Sequence, residues 1–154
     1  MTKPTIAASL RVAPALALAL TIALPRTAHA EDVVLYDRDG SATAYIDAND
    51  LSVYRWNGEP SAYLQRANDG VFDVFGVNGH HLGWYMAGVL YGNDGSAACA
   101  MAERLTYSQP PTARNPRQLL HARGVPDPIP RRPAFDNAFS ATPCDTLLSF
   151  GAAR

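Results

Sequence analysis

Between Val33 and Met101 the apolar residues fall in short runs, and Asp-Gly or Asn-Gly pairs break the runs. Successive side chains of a strand point to opposite faces, and such a pair between two apolar runs is the strongest local hairpin signal. The pairs belong to a longer phrase, aromatic-x-x-[Asp/Asn]-Gly, which occurs four times: Tyr36 to Gly40, Tyr54 to Gly58, Phe75 to Gly79 and Tyr91 to Gly95. Each copy predicts one β-hairpin with a two-residue type I′ turn, in which both central residues take positive φ.

The flanks carry the same signal. The residue before each aromatic is aliphatic (Leu35, Val53, Val74, Leu90) and the fourth after each Gly is small (Ala44, Ala62, Gly83, Cys99). These positions should pair across the hairpin on one face, which is expected to turn inward where the hairpins converge. The repeat aromatics and the fifth residues after the Gly (Tyr45, Tyr63, Trp84, then Ala100) share the other face. Successive repeat glycines lie 18, 21 and 16 residues apart, one hairpin per repeat and too short for a propeller blade of about 40 residues. Single hairpins are marginal in water, so the four must pack around a common axis. The expected fold is all-β: four sequential hairpins in a small four-bladed, flower-like arrangement over residues 31–105.

Residues 106–154 break the pattern. The stretch Gln109 to Pro133 holds seven prolines and predicts an extended, partly polyproline-II tail, since proline supplies neither a central strand nor a helix interior. Phe135, Phe139, Leu147, Leu148 and Phe150 restore apolar character, and 145–150 reads as a short helix or a docking strand.

The first thirty residues read as a cleavable secretory signal: Lys3 and Arg11, an apolar stretch from Val12 to Leu24, and Ala28-His29-Ala30 as the cleavage site. The apolar run is too short to span a bilayer of about 20 residues. Cleavage after Ala30 leaves ten basic against fourteen acidic residues, a net charge of −4, which does not suit nucleic acid or anionic lipid. The expectation is a periplasmic or secreted protein with no membrane span in the mature chain. Two cysteines in an oxidising compartment predict one disulfide, Cys99 to Cys144, with two buried free thiols as the alternative. The bond would staple the tail to the fourth hairpin.

Four ordered copies of the phrase, the endings Ala44-Tyr45-Ile46 and Ala62-Tyr63-Leu64, and the stretch Asn78-Gly79-His80-His81-Leu82-Gly83-Trp84-Tyr85 together resemble the bacterial four-fold β-flower proteins. The likeness covers Val33 to Met101, and Ser140-Ala141-Thr142-Pro143 resembles the family's ending more loosely. The resemblance implies a small four-bladed β fold and no established activity or catalytic residues. The fourth copy departs from the pattern, with Ala100 where a large residue is expected.

The chemistry-bearing residues are sparse. His80 and His81 are strand neighbours that point to opposite faces, so they do not chelate one ion together, and neither Cys stands at ligand spacing; no metal or cofactor is expected. A hydrogen-bonded hairpin His accounts for His81. Asp39 and Asp94 fit turn chemistry, although Asp37, Asp39, Asp73, Asp94 and Glu103 could be read as carboxylates for acid/base hydrolysis. Gly-x-Ser-x-Gly and an EF-hand frame are absent from the sequence. The aromatic set is the main binding candidate, with Tyr45, Tyr63, Trp84 and His81 foremost, because flat rings beside Asp, Asn and Arg suit sugars or peptides; cross-strand packing explains the same rings without a ligand. The first expectation is therefore an exported, non-catalytic β-repeat protein that acts by binding or as an envelope component, with cell-wall glycan or an envelope protein as the partner. A carbohydrate-binding module with exposed aromatics is the second reading, and a small periplasmic hydrolase the third.

Overall fold

A computed structural model of the chain describes residues 31–120 and 122–152. The expected signal, Met1 to Ala30 with its cleavage site, and His121 lie outside the described residues.

Eight strands follow one another as antiparallel neighbours: β1 (Val33–Tyr36), β2 (Ala42–Ile46), β3 (Ser52–Arg55), β4 (Pro60–Arg66), β5 (Phe72–Gly76), β6 (His81–Met86), β7 (Val89–Gly92) and β8 (Ser96–Ala100). Pairing of Tyr36 with Ala100 joins β1 to β8 and closes the sheet into a barrel. The predicted hairpin partners meet: Leu35 with Ala44, Val53 with Ala62, Val74 with Gly83 and Leu90 with Cys99. The inward residues of this face form one buried core with Ile46, Leu64 and Leu82. The hairpins are not isolated blades; each pairs edge to edge with the next, which leaves no open edge among the first eight strands.

The repeat turns differ from the expectation. In each, the Gly N–H donates to the carbonyl three residues earlier, at 2.9–3.0 Å, and the Gly alone has positive φ: 75°, 84°, 96° and 83° at Gly40, Gly58, Gly79 and Gly95. A register shift follows in all four copies. This is a three-residue loop with a glycine bulge. One left-handed residue suffices, so Asp39, Asn57, Asn78 and Asp94 keep ordinary backbone angles, and Asn57, Asn78 and Asp94 instead accept the N–H two residues on. A two-residue turn with positive φ at both positions occurs at Ala87-Gly88, between β6 and β7.

The proline-rich tail is a belt. It encircles the barrel outside the four repeat turns, and Gln109, Gln118, Asp127 and Asp136 donate their N–H to the carbonyls of Gly40, Gly58, Gly79 and Gly95 at 2.8–2.9 Å. The contacts recur every nine residues while the barrel advances one hairpin. Belt carbonyls of Tyr107, Pro116, Val125 and Ala134 also lie against the four glycines, where a methyl group would collide with them. The repeat glycines thus serve both the turn and the belt.

The belt then enters the seam between the fourth and first hairpins. A ninth strand, β9 (Asp136–Phe139), pairs in parallel with β8, and a helix, α1 (Cys144–Ser149), follows. Cys144 and Leu148 are fully buried in the barrel core, and Cys144 is bonded to Cys99. Of the two alternatives for 145–150 the helix is the one formed; the docking strand lies earlier, at Asp136–Phe139, where no strand was expected. The 106–154 segment therefore completes the sheet and the core; it is not an appendage held at the fourth hairpin alone.

Candidate binding site

On the barrel's outer face the aromatics pair between adjacent hairpins. Tyr45 is opposite Tyr54, Tyr63 opposite Phe75 and Trp84 opposite Tyr91, and the first two pairs stack with ring centroids 5.3 and 5.8 Å apart. The fourth pair, at the seam, is Ala100 with Tyr36.

The belt covers the three complete pairs. The Arg114 guanidinium lies 4.0 Å from the Tyr45 centroid and that of Arg123 4.1 Å from Tyr63, the geometry of cation–π contacts. Arg117 reaches both Tyr45 and Tyr54. Over the third pair a ring replaces the guanidinium: Phe135 stacks on Tyr91 at 4.5 Å and leans on Trp84 at 5.9 Å. Arg132, the next position in the nine-residue phase, turns away to Asp69 at 3.2 Å.

Carboxylates fix the belt arginines. Asp32 receives Arg114 at 2.6 Å and Arg117 at 2.7 Å, and the buried Asp47 also receives Arg117. Burial pushes the Asp47 carboxyl up, but hydrogen bonds from Asn49 and the Arg117 charge outweigh it and hold the group below the usual carboxylate range.

The four candidate binding residues are consequently covered. Tyr45, Tyr63, Trp84 and His81 are 0, 6, 1 and 7 % exposed, and none presents a ring to solvent. The physical reason is the belt, which uses the stacking surface that a sugar would need. His81 sits edge-on between Phe75 and Trp84. Asn93 Nδ2 donates to the His81 carbonyl at 2.8 Å, which turns Asn93 Oδ1 toward His81 Nδ1 at 2.9 Å, so Nδ1 is the donor. The opposite nitrogen, Nε2, lies 3.6 Å from Asp73 Oδ1, beyond a hydrogen bond. His80 points to the belt and pairs with Asp127 at 2.9 Å. Among the described residues, no three His, Cys, Asp or Glu side chains are grouped to hold a metal ion.

In the fourth quarter the outer face is buried too, under Leu105, Phe135 and Phe139, but a space remains there. Beside the incomplete pair is a cavity of about 410 Å³, with Val89, Ala97 and Ala100 as its floor and Met86 and Phe139 among its walls. At its polar edge the Tyr91 hydroxyl donates to Asn137 Oδ1 at 2.7 Å. Glu103 and Arg104 also line it, and Arg104 Nε is anchored on the Ala87 carbonyl at 2.7 Å. Next to it, Glu31, Asp32 and Glu103 line a second cavity of about 340 Å³. Sequence reasoning singled out Ala100 as a departure but did not see the space it leaves. The nine-residue phase was present in Ala113-Arg114-Asn115-Pro116 and Ala122-Arg123-Gly124-Val125, and would have revealed a tail that keeps step with the hairpins.

A closed barrel of four hairpin repeats, belted and plugged by its own carboxyl-terminal segment, defines a class of small repeat β-barrel with one incomplete quarter. The chain belongs to the 4-fold beta flower protein family, whose family model matches residues 33–148. No curated protein and no solved structure matches it.

Proposed function

We propose that this chain is an exported, non-catalytic binding protein or envelope component, and that it presents the cavity beside Ala100 as its binding site. The observation that carries this reading is the unequal filling of the outer face: the belt packs on the complete aromatic pairs, while the quarter that lacks its ring keeps a concave space with an apolar floor and a polar edge. Pockets of this size with a few polar groups at one edge suit small ligands. The signal-type leader and the buried disulfide favour an oxidising compartment outside the cytoplasm. A carbohydrate-binding module built on Tyr45, Tyr63 and Trp84 would have to displace the belt first.

The test is fractionation of cells that express the full chain, followed by mass spectrometry and retention on envelope fractions. The reading expects an extracytoplasmic product that begins at Glu31, keeps the Cys99 to Cys144 bond and is retained by an envelope fraction. Cytoplasmic protein with two free thiols would sink the export reading. Turnover of a glycan or peptide that disappears in Glu103→Gln would sink the non-catalytic one. Retention by insoluble peptidoglycan, with protection of Trp84 from a fluorescence quencher beyond its initial shielding, would favour the carbohydrate module instead.

A further inference from the structure

The cavity beside Ala100 has a shape that the rest of the molecule explains. In the other three quarters the position equivalent to Ala100 carries Tyr45, Tyr63 or Trp84, each packed beside an aromatic of the next hairpin. In the fourth quarter the neighbour, Tyr36, is in place and the ring is missing. The small side chains of Ala97 and Ala100 leave a flat floor, and Val89 and Phe139 flank it.

A guanidinium from outside the nine-residue phase also lines the space. Arg114 and Arg123 stand over the rings of the first two quarters, and Arg104 lines the empty one, held through Nε by the Ala87 carbonyl. Among the described residues, its Nη atoms have no hydrogen-bond partner. The site therefore has an apolar floor with Ala100 at the ring position and a cationic group at its wall, while Tyr36 lines the adjoining cavity. Cation–π attraction favours electron-rich rings. At the edge, Asn137 Oδ1 accepts from the Tyr91 hydroxyl, which leaves the Asn137 amide N–H₂ able to meet a ligand oxygen, and the Tyr91 oxygen able to accept from a ligand O–H or N–H. Glu103 lines the same space as Arg104, so the site has no excess of positive charge to select an anion. Concave sites with an apolar floor and a few polar groups at one edge suit small ring-shaped ligands.

We infer that the cavity binds a small, uncharged, electron-rich aromatic molecule, a phenol or an indole, which supplies the fourth ring of the repeat. This inference rests on the reading of the protein as a binding protein and names the ligand chemistry of that site.

The experiment is an NMR amide-shift titration of the oxidised mature protein with p-cresol and with indole, with benzoate and cyclohexanol as controls. Saturable shifts centred on residues 86–104 and 135–139 are expected for both probes, with a Kd of about 1 mM or tighter, and weaker binding for both controls. Ala100→Tyr restores the repeat's own ring and should weaken both probes at least tenfold while raising the thermal midpoint. Arg104→Ala should weaken them roughly threefold to tenfold. If Ala100→Tyr does not fold, Ala97→Met narrows the same space from the adjacent floor position and should likewise weaken binding. Absence of saturable shifts in the wild type, or equal affinity in wild type and the filled variant, would overturn the inference; benzoate or cyclohexanol binding as tightly as p-cresol would overturn the ring chemistry. Retention on envelope fractions without aromatic binding would leave the general binding reading standing and remove this one.

Discussion

Reduction of the Cys99–Cys144 bond should cost the protein a large part of its stability. The two cysteines are 45 residues apart in sequence, and the interval contains the whole belt. In the chain-entropy model a loop of that length removes about 13 cal/mol/K from the unfolded ensemble, equivalent to about 4 kcal/mol at 25 °C. Against a typical total of about 5–15 kcal/mol for a domain, that is a substantial share. With a urea slope of about 1.5 kcal/mol/M the midpoint should fall by roughly 2.5–3 M on reduction. The assay is urea unfolding followed by tryptophan fluorescence and far-UV circular dichroism, with and without reductant. Cys99→Ala/Cys144→Ala should reproduce the shift, with a further loss because both sites are fully buried. A shift of less than about 1 kcal/mol, at an unchanged slope, would refute the reasoning. It would mean that the unfolded chain is held no more tightly by the bond than by its residual structure. Two separate transitions after reduction would show that belt and barrel unfold independently.

Other consequences follow from the turns and the buried charges. Gly79→Ala should destabilise by about 2–3 kcal/mol, from left-handed strain of about 1–2 kcal/mol and loss of the Asp127 hydrogen bond to the turn; a denaturation midpoint unchanged from wild type would count against the belt contact. Gly70 has similar backbone strain but an open surrounding, so Gly70→Ala should cost less, and the difference between the two isolates the belt. Asp47 titrates lower in the folded state than its reference value of 3.8, so the folded form binds fewer protons in that window. Its contribution to stability is complete above about pH 4 and is lost as pH falls through the folded value. Asp47→Asn should therefore flatten the acid limb of a stability–pH curve measured from pH 5 downward, although Asp94, also held low by Ser96, keeps part of the slope. An identical limb in the variant would contradict the assignment.

The hairpins were legible in the sequence because turn chemistry acts locally and the flanking positions can be counted from each turn glycine. Leu35 and Ala44, or Val74 and Gly83, could be paired by counting from a glycine, and the inward face followed from the same count. The turn type was less legible: Asn-Gly satisfies either two positive φ angles or one, and the bulge that distinguishes them lies at the aromatic, where the register shifts. The belt was hidden for a different reason. Its hydrogen bonds run from backbone N–H groups, so Gln109, Gln118, Asp127 and Asp136 had no residue type in common to announce them. Prolines implied an extended path without saying where it led. The aromatic rings were correctly placed on one face, but their burial depends on Arg114, Arg117, Arg123 and Phe135, more than forty residues away from the rings they cover.

The path of the belt has a consequence for how the molecule can be taken apart. From Cys99 the chain leaves the barrel, passes each repeat turn in order and returns inside to Cys144, so the disulfide converts the belt into a covalent hoop around the hairpins. Neither the first, second nor third hairpin can peel outward while that hoop is whole. A protease meets exposed proline-rich chain on the circumference, yet one cut there leaves both pieces attached, one by its turn contacts and the other by the plug in the core. Opening the hoop takes a nick or a reduction, and in an oxidising compartment the second is slow. The hoop thus gives a barrel of modest core a resistance to degradation that its equilibrium stability alone would not predict.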